Sequence, residues 1–154
     1  MTTVKDKVKY DSWEYILLTL IFNKKVVFRA FSIYIVLGLF ISPVFHEGGS
    51  IGYLLTPNFG YLLGAYPLIK IIDELNTRNK INVANFLKNG ILAIGAMHLT
   101  GIFYNFIQII IYSQFNLFLY NLGKYSLGKI GYHFLMLFPL LLLIKPIERF
   151  KRSK

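Results

Sequence analysis

Three histidines and seven acidic residues are the first places to look for chemistry in this 154-residue chain. His46, His98 and His133 show no HExxH or comparable ligand spacing, so no metal centre is expected. Asp6, Asp11, Glu14, Glu47, Asp73, Glu74 and Glu148 all lie away from the middle of the apolar runs, leaving no carboxylate pair for buried proton transfer. The absence of cysteine removes disulfides, thiolate ligands and a thiol nucleophile. GxSxG and phosphate-loop patterns are missing as well. The expectation is a protein that is not an enzyme and needs no cofactor. Two candidates for binding remain. His98 lies within AIGAMHLTGIFYN, where it either hydrogen-bonds between helices beside small residues or faces a ligand cavity. The stretch PVFHEGGSIGYLLTPNFGYLLG, residues 43–64, either reverses the chain at a surface or forms the wall of a site.

The elements that must position these residues are apolar. Hydrophobic residues make up 55% of the chain and its mean hydropathy is +0.53, a balance that leaves too little polar surface for a soluble domain of this size. Ala30–Phe45, Gly48–Ile69, Asn89–Gly123 and Ile130–Ile144 contain no Asp, Glu, Lys or Arg. A helix needs roughly 20 mostly apolar residues to cross the hydrocarbon, and flanking Lys or Arg can extend the shorter runs by snorkelling. The reading is an all-α integral membrane protein with about five transmembrane helices. Residues 1–12 form a polar N-terminal segment, 13–147 a membrane domain and 148–154 a basic cytoplasmic tail. Within the domain, Trp13–Phe22 is a short span or an interfacial helix, and Asn23 to Lys25 a turn. Spans follow at Val26–Phe45, Asn58–Leu75, Val83 to about Tyr112, and Ile130–Ile147, with Ser113–Lys129 read as a polar-aromatic connection.

Charge sets the orientation. The formal charge of +10 is spread over the ends of apolar runs, which speaks for topology and against a nucleic-acid partner. With five crossings, Lys24, Lys25, Arg78, Lys80, Arg149, Lys151, Arg152 and Lys154 share one face. The positive-inside rule makes that face cytoplasmic and puts loop 46–57 and the 113–129 connection on the outside. Lys5, Lys7 and Lys9 run against this assignment.

The run from Leu37 through Gly64 resembles the biotin transporter family BioY, the substrate-binding membrane subunits of energy-coupling-factor transporters. The resemblance rests on Pro43-Val44-Phe45, then Gly48, Gly49 and Gly52, then Pro57, Asn58, Phe59, Gly60, Tyr61, Leu62 and Gly64. Asn58 stands where the family usually has Thr, and Phe59 where it has Gly. A weaker likeness continues through HLTGIFY (98–104) and the Gly123–Pro139 approach to the last helix. Membership would imply an S-component-like bundle, biotin as ligand, a transmembrane coupling subunit with ATPase subunits as partners, and a lipid bilayer around them. It would place the protein in the bacterial inner (plasma) membrane or, given the AT-rich composition, a plastid membrane. The implied substrate-binding residues are Gly48, Gly49, Asn58, Gly60, Tyr61 and Gly64, with His98 beside them. Two departures stand out. The family's first helix has no counterpart before Trp13, and its Pro-Gly-Asp-x-x-Lys motif meets Leu141 and Ile144 when aligned on Pro139. Lys145 falls one residue off, a turn of about 100° on a helix. Other readings are a non-transporting assembly partner, a degenerate relative, or a carrier of another vitamin.

Overall fold

A computed structural model describes residues 12–45, 49–77, 81–113 and 115–152. They are almost wholly helical, with no β-strand among them. In chain order the elements are α1 (Ser12–Ile21), α2 (Lys24–Phe40), a 3-10 turn (Ile51–Leu55), α3 (Pro57–Leu63), α4 (Ala65–Asn76) and α5 (Val83–Tyr112). After them come α6 (Phe115–Asn121), a π-helical segment (Leu122–Leu127), α7 (Gly128–Leu135) and α8 (Leu137–Arg152).

Local chemistry sets the boundaries. The Asn23 side chain accepts the Lys25 N–H at 2.9 Å and starts α2, so the predicted turn at 23–25 is shorter than expected. Asn82 caps α5 in the same way through the Ala84 N–H. Ser113 ends that helix in the left-handed region at φ 54, with its N–H bonded to the Ile109 carbonyl. Pro57 opens α3 at a position where its missing N–H costs no helical bond.

α5 is the axis of the bundle. The α3–α4 pair packs along it, α1 lies on α4, and α8 meets α1 and α5. The expected span Asn58–Leu75 is broken at Gly64, where a β-carbon would come within 2.5 Å of the Met97 carbonyl oxygen. That approach brings α3 and α4 onto α5, and Pro67, with no N–H for the Leu63 carbonyl, interrupts the helix there. The core beneath is apolar, with Ile16, Leu68, Ile72, Phe86 and Ile94 fully buried.

The surface is apolar too. Ile41, Ile110 and Leu142 are each more than 70% exposed, and Phe40, Leu99 and Phe103 nearly as much. An apolar surface this extensive is foreign to a soluble monomer. Among the described residues, Val83–Tyr112 is the one continuous helix long and apolar enough to cross a bilayer, and α6–α7 with α8 make a second candidate bent by 43°. The remaining expected spans correspond to the shorter α1 and α2 and the broken α3–α4 pair.

The two ends of the bundle are fastened differently. Where α5 begins, Lys24 pairs with Asp73 at 3.2 Å, the Asn76 amide donates to the Thr19 carbonyl at 2.6 Å, and the Ile81 N–H donates to Glu148 Oε1 at 2.6 Å. Where α5 ends, aromatic contacts link Tyr34, Phe45, Tyr53, Phe59 and Tyr104 in series. There the Tyr104 hydroxyl donates to the Leu54 carbonyl, and the Gln108 amide to that of Leu55 at 2.9 Å.

Candidate functional site

Inside this apolar bundle a line of polar groups crosses three helices. The Tyr61 hydroxyl of α3 lies 2.6 Å from Ser126 Oγ on the π-helical segment. Ser126 Oγ lies 3.3 Å from His98 Nδ1 of α5, and His98 Nε2 lies 3.0 Å from His133 Nδ1 of α7. His98, Ser126 and His133 are 2%, 3% and 6% exposed, so hydrogen bonds within the protein must satisfy them.

The proton count allows two directions with both rings neutral. In one, Tyr61 donates to Ser126, Ser126 to His98, and His98 to His133. In the other, His133 donates to His98, His98 to Ser126, and Ser126 to Tyr61, which leaves the tyrosine proton available elsewhere. A serine hydroxyl in the middle serves either direction because it can donate one bond and accept another.

Local structure explains how the line assembles. A π turn is wider than an α turn and concentrates at functional sites. Here it lets consecutive residues, Tyr125 and Ser126, both turn inward, at 7% and 3% exposure. The Tyr61 ring reaches Ser126 because Gly101, in the turn of α5 after His98, has no side chain and a β-carbon there would overlap the ring. The ring then lies 5.8 Å from the His98 imidazole and 5.9 Å from the Tyr125 ring. Lys124 and Lys129 sit over Tyr125, with Nζ 4.9 and 5.5 Å from its centroid.

Of the residues singled out in the sequence, Tyr61 and His98 come together. Gly60 and Gly64 lie at the contact with α5, where β-carbons would overlap Tyr104 and the Met97 backbone, so their place in the structure is one of close packing. Asn58 is half-buried in the first turn of α3, one turn before Tyr61. Gly49 lies apart from the line, pressed on Pro43 and the Gly38 carbonyl, which also accepts the Ser50 N–H at 2.9 Å. Gly48, with His46 and Glu47, lies outside the described residues. In α8, Ile144 is buried at 5% and Lys145 is exposed, so the base one residue out of register points away from the interior. Ser126 was not singled out in the sequence, and His133 entered only as a histidine without ligand spacing. They stand 28 and 35 residues from His98, and the π turn that aims Ser126 inward has no sequence signature. Among the described residues no three His, Cys, Asp or Glu side chains gather as metal ligands.

A cavity of about 240 Å³ opens between α1 and α2 and is lined by residues including Leu18, Val27, Ala30 and Phe31. Its walls are nearly all apolar, without the few directed polar groups that orient a vitamin-sized ligand.

The fold is a helical bundle that encloses a line of polar groups in an apolar surround. The family model for the BioY family matches residues 12–139, and the chain belongs to that family. BioY proteins are substrate-binding components of membrane transporters, so membership places the chain in a membrane and among transporter components. No significant match is found among curated proteins or among solved structures.

Proposed function

We propose that this protein captures biotin at the outer face of the membrane and delivers it inward as the substrate-binding subunit of an energy-coupling-factor transporter. A transmembrane coupling subunit and ATPase subunits would supply the drive. The observation that carries this reading is the family match over residues 12–139. The buried line from Tyr61 to His133 supports it, because a ligand with a neutral polar head and apolar body needs few but directed hydrogen bonds. Charge bias favours the outer face for the end of the bundle where α5 stops.

Leu141 and Ile144, at the positions of the family's acid and base, favour a second reading in which the fold is kept and the ligand is another vitamin. Equilibrium binding of labelled biotin to the purified protein separates the two. Saturable binding at micromolar ligand or below is expected. Its absence from protein with an intact thermal transition overturns the biotin reading.

A further inference from the structure

One buried polar group beside the Tyr61 line has its bonding incomplete. Asn105 shares a face of α5 with His98 and Gly101 and is 3% exposed. Its Nδ2 donates to the Gly101 carbonyl at 3.0 Å, while Oδ1 is fully buried with no hydrogen-bond partner. The Tyr61 hydroxyl lies near this side chain. Leaving a buried amide oxygen without a donor is unfavourable, and such atoms in natural proteins call for an explanation.

Asn105 borders a narrow cavity of about 10 Å³ beneath α6, whose other walls include Gln108, Tyr112, Phe118 and Asn121. Three side-chain amides therefore border one small space at the end of the bundle where α5 stops. No Asp, Glu, Lys or Arg lines it, so the site suits a neutral group. The volume admits one water-sized group, which excludes a whole ring and allows the edge of one.

We infer that Asn105 Oδ1 is the acceptor for a neutral N–H of the bound ligand, and that the N–H edge of a cyclic urea or lactam docks in this cavity between α5 and α6. The inference rests on the ligand-binding role proposed above and assigns it a specificity-determining residue. Gln108 and Asn121, which line the same cavity, offer further amide groups to a ligand seated there.

The test is calorimetric binding of biotin, and of an isosteric analogue with both urea N–H groups replaced by CH2, to the wild-type protein and to Asn105→Ala. Wild type is expected to prefer biotin by about tenfold or more, the usual loss when a buried acceptor goes unpaired. Asn105→Ala should weaken biotin by a similar factor and bind the two ligands alike. If Asn105→Ala keeps the wild-type preference, or if wild type does not distinguish the ligands, the inference falls and Asn105 holds only a water. The wild-type comparison stands even if the variant fails to fold. A wild type that binds neither ligand overturns the biotin reading itself.

Discussion

At the scale of single residues, the histidine pair shows how a buried polar group commits its neighbours. Replacing His98 with Leu takes one hydrogen-bond partner from each of two buried groups, Ser126 and His133, with Ser126 keeping Tyr61. A hydrogen bond lost at a buried group costs about 1–3 kcal/mol. We expect His98→Leu to destabilise the protein by about 2–4 kcal/mol, whereas His98→Leu with His133→Leu should cost less than the sum of the single changes. Thermal unfolding in detergent reads both. Strict additivity would mean that the two rings do not depend on each other. Sequence reasoning brought His98 this far as a choice between an interhelical bond and a ligand contact. The structure shows the interhelical bonds. Its partners were not legible because the contact joins helices far apart in sequence.

Between elements, the join that matters most is the one where α8 passes the start of α5. Glu148 accepts the Ile81 N–H at 2.6 Å, one residue before the Asn82 cap, and so fixes the entry of the long helix to the last one. Glu148→Ala should cost about 1–2 kcal/mol, and Glu148→Gln, which keeps an acceptor oxygen, clearly less. The difference between the two in thermal stability is the readout, and equal losses would mean that the contact contributes little. Element boundaries were unevenly legible. α5 was readable to its ends because a mainly apolar stretch lies between the polar residues Asn82 and Ser113. The break at Gly64 had a signal in GYLLGAYPL, since Pro67 has no N–H for the Leu63 carbonyl, whereas the close approach of Gly64 to the Met97 backbone some thirty residues on was not legible. The 113–129 stretch read as a connection because of its asparagines and glycines, yet it is mostly helical and contributes Ser126 to the buried line.

For the whole molecule, the main quantity is orientation. Lys24 and Lys25 at the start of α2 and Arg149 near the end of α8 lie on the side where Lys24 meets Asp73, and the aromatic end with the 3-10 turn lies opposite. The chain has no cysteine, so a single introduced thiol reports its side without background. Thr77→Cys and Ser113→Cys are both exposed positions, at opposite ends of the bundle. In intact cells a membrane-impermeant thiol reagent is expected to label Ser113→Cys and to reach Thr77→Cys only after permeabilisation. The reverse pattern would invert the topology and move the proposed capture site to the cytoplasmic side. Apolar composition was enough to read the helical class, because only an all-helical or closed-barrel chain satisfies its backbone in lipid. It could not give the number of crossings, which depends on breaks and bends that packing sets.

The π-helical turn at 122–127 carries a consequence for how such a protein can change over time. Its extra residue holds Tyr125 and Ser126 inward while α6 and α7 keep their own packing. Losing one residue there would let the turn relax to an ordinary α-helix and swing α6 by about 100° relative to α7. Ser126 would leave the His98 ring in the same step. The lineage could thus gain or discard the buried polar line by a single-codon length change, with the scaffold of α3, α4 and α5 left untouched.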